Sequence, residues 1–589
     1  MLYIDVECYS DYFLVNFQNE EGKNAAFEMF EGKPLDVSRI ASLMASQTTL
    51  GFNSNNYDIP MIAAALENRS CAELKELSDE IITSGRPAWQ IVRNREIPIP
   101  RQWDHIDIIE IPIGQVGLKI YGARLGFPKL QELPFDPSAS ITPEQRPILR
   151  GYCANDCAVT KALADSLRGQ IALRADMSKQ YGVDLRSKSD AQIAEAVLRH
   201  EIEEIKGSRL IVPKVDPKTT YRYQDPAIIS FDTPELQTIF ERILAHPFGL
   251  AANGSIEMPD WLKQTKIKIG RSEYQMGIGG LHSCEKSQTV RAGSSHVLAD
   301  FDVASYYPSI ILQQRIAPET MGDDFLTIYQ GIVDRRLAAK RSGDKLTANT
   351  LKIVVNGSFG KLGSKYSTLY APNLMIQTTI TGQLALLMLI ERVEAIGASV
   401  VSANTDGIVI FANKALEPAL EQVVFDWQVD TSFELERSDY SALHSRDVNN
   451  YIAVKPDGST KRKGAFGEEA LSKNPQFQIV TDAIADHVAG KCDFKETIRN
   501  SQDARKFVMV RSVTGGAVWR KQPIGKAVRF YYSTEVGTDE ALQYAKNGNK
   551  VPQSDGAKPL MDLPDTIPSD VDRERYIGMA MIAMKGLGL

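Results

Sequence analysis

Cysteine, long apolar runs and an excess of positive charge are all scarce in this chain of 589 residues. Its six cysteines (Cys8, Cys71, Cys153, Cys157, Cys284, Cys492) follow no regular spacing, which excludes a disulfide framework. Cys153 and Cys157 lie four residues apart, but no second pair stands nearby to complete a zinc site, so they read as buried free thiols of a reduced compartment. The longest obvious apolar run, LALLMLI at 384–390, falls well short of the roughly 18 residues a membrane span needs. The start, MLYIDVECYS, has neither a basic stretch nor a cleavable signal pattern. A cytoplasmic protein that does not engage membranes is the expectation. The net charge of −7 argues against indiscriminate nucleic-acid binding, though it conceals local clustering.

What is present is ordinary globular material, 43% apolar and 24% charged, long enough for about four domains. Two segments break the acidic balance. Residues 331–366 carry eight basic side chains against Asp334 and Asp344, and residues 501–530 carry seven against Asp503, a net +6 in each. A charge run is usually a solvated face. Two of them on an acidic chain read as local phosphate-facing surfaces.

Acidic residues recur in telling places. LYIDVEC alternates as a strand does, putting Asp5 and Glu7 on one face. GFNSNNYDIPMI (51–62) is a polar loop entering a helix with Asp58 at the junction, and HIDIIEI (105–111) reads as a strand. GYCANDCAVTKALADSL (151–167) reads as a helix with Tyr152 and Asp156 one turn apart. Four carboxylates from three segments can converge on two divalent cations. The ordered set D-x-E, N-x-x-x-Y-D (Asn53, Tyr57, Asp58) and Y-x-x-x-D resembles a DEDD-type 3′→5′ exonuclease of the tyrosine subtype. That resemblance implies an RNase H-like domain in which Asp5, Glu7, Asp58 and Asp156 bind metal and Tyr152 positions the attacking water.

A second acidic set lies further on. In HVLADFDVASYYPSIIL (296–312) the alternation predicts a strand with Asp300 and Asp302 on one face, which the chain must leave at Tyr307-Pro308. ASVVSANTDGIVIF predicts a hairpin with Asp406 at its tip and turn chemistry from Asn404 and Gly407. TLKIVVNGSFGKLGS (350–364) predicts a helix with Lys352 and Asn356 on one face, and Gly357 and Gly360 allowing a base pair to approach the backbone. The 375–397 segment predicts an apolar core helix ended by Gly397. NNYIAVKPDGSTKRKGAFG (449–467) predicts a further hairpin around Asp457-Gly458.

Together these resemble family B DNA polymerases: DVASYYPSII the first palm motif, the 350–364 stretch the fingers motif K-x-x-x-N-S-x-Y-G, and NTDG the third motif Y-G-D-T-D-S. The resemblance implies a metal site of Asp302, Val303 and Asp406, and nucleotide contacts from Ser305, Tyr306, Tyr307, Arg336, Lys340, Lys352 and Asn356. Tyr307 would be the ring beneath the sugar that excludes a 2′-hydroxyl. Primer or template contacts would come from Gly360, Tyr451 and Lys463. The chain departs from the pattern at Tyr306, Gly357, Phe359, Asn404, Gly407 and Asn449. Asparagine at 404 removes charge but keeps a carbonyl and an amide for hydrogen bonding. Whether Asp300 makes up that charge is left open.

The expected fold is a multidomain α/β and α+β chain, an RNase H-like nuclease followed by a right-hand polymerase. The expected boundaries are 1–190 exonuclease, 191–290 connector and start of the palm, 291–320 palm, 321–366 fingers, 367–467 palm again and 468–589 thumb. The expected activity is template-directed synthesis from a nucleic-acid primer with 3′→5′ proofreading, in replication, using two cations (Mg2+ or Mn2+) at each site. Expected partners are primer–template DNA and dNTPs, with a processivity factor, helicase or single-strand-binding protein as accessories to a monomer. With Asp5 the first nuclease acid and only 50 and 54 residues separating Asp302, Lys352 and Asp406, no extra N-terminal domain or protein-priming insertion is expected. That compactness is reminiscent of bacteriophage enzymes. The rivals are a repair or self-priming polymerase, a nuclease with a vestigial polymerase half, and a non-enzymatic DNA-binding factor.

Overall fold

LYIDVEC forms strand Leu2–Cys8, burying Tyr3, Ile4 and Val6. It centres a five-stranded sheet in a computed structural model that describes residues 1–589. Tyr12–Asn19 and Asn24–Phe30 extend the sheet antiparallel on one side; Thr49–Gly51 and His105–Asp107 extend it parallel on the other. Tyr12–Asn19 is almost wholly buried, as its run of apolar residues requires of a strand covered on both faces. Helix Arg146–Ser166, with Pro147 in its first turn, packs on the first two strands. All six cysteines are free thiols.

The strand expected over 105–111 stops at Asp107. Its carboxylate accepts the amides of Asn53 (2.8 Å), Asn55 (2.9 Å) and Ile109 (3.1 Å), which turns the chain out of the sheet and fixes the polar loop leading to Asp58. Asn53 takes the left-handed conformation in that loop, with φ 58°.

This sheet belongs to a unit of residues 1–189, 469–479 and 499–576. The last segment contributes the antiparallel pair Met509–Trp519 and Gln522–Tyr532. Its anchor is Arg529, fully buried, whose guanidinium donates to the carbonyls of Phe127, Pro128, Leu560 and Met561. Glu132 accepts the amides of Lys526 and Ala527. The basic run 501–530 is therefore not one phosphate-facing surface: Arg529 is interior, and Arg505 and Arg520 pair with Asp503 and Glu540.

The second unit comprises residues 190–468, 480–498 and 577–589. Residues 468–589 thus divide between the two units. Its central sheet is antiparallel, in the order Ser399–Ala403, Gly407–Asn413, His296–Val303, Leu435–Asp439. Helix Pro372–Ala395 is apolar and long enough to cross a membrane by composition, but its most apolar window is 89% buried in the core of this unit. A second antiparallel sheet runs Gln288–Arg291, Ala442–Asp447, Asn450–Val454, Thr460–Lys463.

Helices Asp323–Ser342 and Lys345–Leu362 pack with Asp190–Lys206. A Cβ on Gly357 would lie 2.7 Å from the Asp190 carbonyl oxygen and 2.9 Å from Ala194 Cβ, so that glycine serves helix packing and not the approach of a base pair. Gly360 faces open space. Within the basic run 331–366, Arg335 pairs with Glu201, Lys361 with Glu195 and Lys340 with Glu436, which removes part of its expected surplus.

Candidate active sites

In the first unit the strand alternation aims Asp5 and Glu7 the same way. Donor atoms of Asp5, Glu7 and Cys153 lie within 4.8 Å of one another. Asp58 opens helix Asp58–Leu66 and Asp156 sits mid-helix; both are buried and raise the carboxyl pKa of their neighbours. Asp5 is pushed well above the usual carboxylate range by burial first, then by Glu7, Asp58 and Asp156. Glu7 is raised by burial and then Asp156, with Lys119 opposing. Four acids crowded in this way call for cationic compensation. Asp5 Oδ2 is buried and accepts no hydrogen bond, an orphaned oxygen of the kind a divalent cation would satisfy.

Tyr152 is buried beside Asp156, and its hydroxyl accepts a 2.6 Å hydrogen bond from Lys119 Nζ. Burial, followed by Asp156 and Glu7, raises the phenol's pKa. Lys119 lies outside the acidic motifs, and a lone lysine in LKIYGAR offers no signal in sequence. Tyr57 turns away to hydrogen-bond Ser78 (2.8 Å).

In the second unit, Asp302 faces Gly407 across the antiparallel pair, and the Val303 amide donates to the Asp406 carbonyl at 2.7 Å. The acids of the DVASYYPSII and NTDG stretches are thereby joined. A Cβ on Gly407 would collide with Asp302 Oδ1 and lie 2.8 Å from the Phe301 carbonyl, so the position requires glycine. Asn404 Oδ1 accepts the amides of Asp406 (3.1 Å) and Gly407 (2.9 Å), and the Asn404 amide donates to the Gly407 carbonyl (2.9 Å). Its side chain is spent on the turn.

The strand ends at Val303, earlier than expected, and a helix begins at Tyr306. Pro308 sits in its first turn, where a missing N–H costs nothing. Ser305 bridges the two in the left-handed region (φ 48°), and its hydroxyl accepts from Arg336 Nη1 at 2.9 Å. Beside Asp406 opens a cavity of about 300 Å³, lined by Ser305, Tyr307, Arg336, Asn356, Phe359 and Thr405 among others. Tyr307 stacks on Phe359, centroids 4.2 Å apart at 25°, and donates to the Gly279 carbonyl at 3.0 Å. Tyr306 is buried with its hydroxyl on the Gly382 carbonyl (2.5 Å), so only the edge of a core residue reaches the cavity. Lys352 is exposed one turn before Asn356, and exposed Lys340 lies 3.7 Å from Glu436.

Asp300 is 4% exposed and accepts Tyr440 Oη (2.6 Å) and Lys461 Nζ (2.9 Å) on one oxygen. Lys461 also reaches Asp302 Oδ2 at 3.5 Å. Burial alone would lower its pKa; Asp300 reverses this and raises it. Lys463, two residues on, lies 6.0 Å over the Tyr451 ring. The KRK run signals a basic strand, but only the register (Ala453 opposite Lys461) selects the lysine that meets the acids.

The molecule is therefore a two-unit mixed α/β chain with one carboxylate cluster in each unit. No family model matches it. It is similar to DNA polymerase 1 of Sulfolobus acidocaldarius, 24% identical over 140 residues that make up 23% of this chain and 16% of that protein. It is also similar to DNA polymerase 1 of Aeropyrum pernix, 24% identical over 213 residues, 30% of this chain and 22% of that protein. The match thus spans about a fifth of the length of these curated relatives. Among solved structures, the family B DNA polymerase of Pyrobaculum calidifontis aligns with all of this chain and 77% of its own, at 13% identity and a TM-score of 0.42. The curated relatives are named as DNA polymerases, the activity that the motifs resemble.

Proposed function

We propose that this chain is a DNA polymerase of the family B type that extends a nucleic-acid primer on a DNA template with dNTPs, and that its first unit is a 3′→5′ exonuclease. The observation that carries the reading is the Asp302–Gly407 strand pairing, which brings Asp302 beside Asp406 at the rim of a cavity walled by Tyr307, Phe359 and Arg336.

Asp302 and Asp406, with the main chain of Val303, would hold divalent cations (Mg2+ or Mn2+) in the second unit; Asp5, Glu7, Asp58 and Asp156 would hold them in the first. When bound, such ions neutralise charge on a transferring phosphoryl group. The chain's own groups do the rest. Arg336, fixed by Ser305, and Lys352 supply positive charge for a triphosphate. The Tyr307 ring, held by Phe359 and Gly279, closes the space a 2′-hydroxyl needs. In the nuclease, Lys119 holds the Tyr152 hydroxyl and thereby the orientation of a nucleophilic water.

The test is extension of a labelled primer on a template with magnesium, with and without dNTPs. Asp406→Ala should abolish extension and leave degradation; Asp5→Ala should do the reverse. Degradation without any extension by the unmodified protein would favour the nuclease with a vestigial polymerase half.

A further inference from the structure

The two acids expected to hold metal in the second unit stand next to a third, Asp300, and to an ammonium that touches both members of the D-x-D pair. Asp300 lies behind Asp302: its side chain is 5% exposed, against 39% for Asp302 and 40% for Lys461. Tyr440 and Lys461 converge on the same oxygen of Asp300, at 2.6 and 2.9 Å, from separate strands and turns of the unit. The Asp302 carboxylate is then held from two sides. Its Oδ2 faces Lys461 at 3.5 Å, and its Oδ1 abuts the bare Cα of Gly407, the residue after Asp406.

We propose that Lys461 is a positioning residue of the metal site, a fixed internal cation that neutralises Asp300 and keeps Asp302 turned toward Asp406. The proposal deepens the polymerase reading and rests on it for the use to which the site is put. Its logic is electrostatic. Asp300 and Asp302 share one strand face, and without the ammonium they would form a second carboxylate pair competing for divalent ions. With Lys461 in place, Asp300 is cancelled and the cation site is confined to Asp302 and Asp406. Asn404, a neutral amide, adds no charge, and its oxygen is committed to the turn. Asp300 therefore does not replace the carboxylate missing at 404; it anchors the lysine.

The two partners carry opposite predictions. Lys461→Met uncovers Asp300 and should tighten Mn2+ binding by about tenfold, because breaking one side of a partly buried pair leaves an uncompensated charge. Asp300→Asn frees Lys461 to lean on Asp302 and should weaken Mn2+ binding. Asp300→Asn with Lys461→Met should return the affinity toward that of the unmodified protein, and extend primers faster than Lys461→Met alone. The measurement is Mn2+ binding to the full chain, followed by the electron paramagnetic signal of the free ion. All proteins carry Asp5→Ala and Asp156→Ala to silence the nuclease cluster, with Asp406→Ala as the reference for lost binding.

Equal Mn2+ affinity in Lys461→Met and its parent would overturn the proposal, as would a fall in both single variants. So would a double variant no better at extension than Lys461→Met, which would assign the lysine to DNA. If Mn2+ responds as expected but the parent extends no primer, the polymerase reading fails and the charge arrangement stands.

Discussion

Tyr307 and Phe359 stack with their ring centroids 4.2 Å apart, and the Tyr307 hydroxyl is tied to the Gly279 carbonyl. The ring is fixed at both its face and its edge. Discrimination between dNTPs and rNTPs should therefore depend on both contacts. Tyr307→Val should reduce the ratio of kcat/KM for dNTP over rNTP by about 10- to 200-fold, the range a shape difference in a pocket supplies. Phe359→Ala, which frees the ring without removing it, should reduce it less. Competitive incorporation of matched dNTP and rNTP reads both.

The turn at 404–407 should tolerate one change and reject another. Asn404→Asp keeps an acceptor for the amides of Asp406 and Gly407 and should bind metal modestly better, without a large rise in turnover at saturating magnesium. Gly407→Ala forces a methyl against Asp302 Oδ1 and should cost about 1–3 kcal/mol of stability together with most extension activity. Thermal melting and primer extension distinguish the two.

The four acids of the first unit should behave as one group, since Glu7, Asp58 and Asp156 each raise the pKa of Asp5. Asp5→Ala and the double Asp5→Ala/Asp156→Ala should lose single-strand degradation to the same extent, a non-additivity expected of groups sharing one task. Lys119→Met should slow degradation without abolishing it, because it loosens Tyr152 and leaves all four acids in place.

Acid should destabilise each unit through one buried histidine. His105, between Thr49 and Ser54, and His444, on Thr289, are both held by burial at a pKa of about 4, against 6.5 when free. The unfolded chain takes up the proton first, so the stability is complete above pH 6.5 and is lost as the pH falls toward 4. For His105 the loss reaches about 3 kcal/mol at pH 4. Melting temperature against pH should fall on this limb, and His105→Gln should flatten it for the first unit.

Arg529 should be indispensable to the first unit. Arg529→Met takes the arginine's donors from the carbonyls of Phe127 and Leu560, while those of Pro128 and Met561 keep the amides of Leu563 and Leu130, and should cost about 2–4 kcal/mol, seen as earlier unfolding in urea and loss of degradation.

Much of this was legible in sequence because it follows from local periodicity. Alternation located Asp5 with Glu7 and Asp300 with Asp302, helical spacing located Tyr152 with Asp156, and turn residues located Asp406. What was not legible depends on register or on distant packing. Lys461 rather than Lys463 meets Asp300 because of how Thr460–Lys463 pairs with its neighbour. Gly357 is small because helix Asp190–Lys206, more than 150 residues earlier, crosses it. The run 501–530 looked like an exposed basic face because nothing local reveals that Arg529 faces inward toward residues 127–128. The short strand at 105 ended early because a side chain competed for its amides.

The Arg529 anchor also bears on the order in which this chain can fold as it is made. The first unit begins at residue 1 but needs the segment ending at 576, and Leu130 and Leu563 are paired by main-chain bonds with residues on the other side of that gap. At ribosomal rates of about 5–20 residues per second, its last strands emerge roughly 20–80 s after residue 189. The sheet of the first unit must wait that long, unfinished, while the central unit is synthesised. A release or cleavage within residues 190–498 would therefore leave the start of the chain without its closing hairpin, so a short product should carry neither activity.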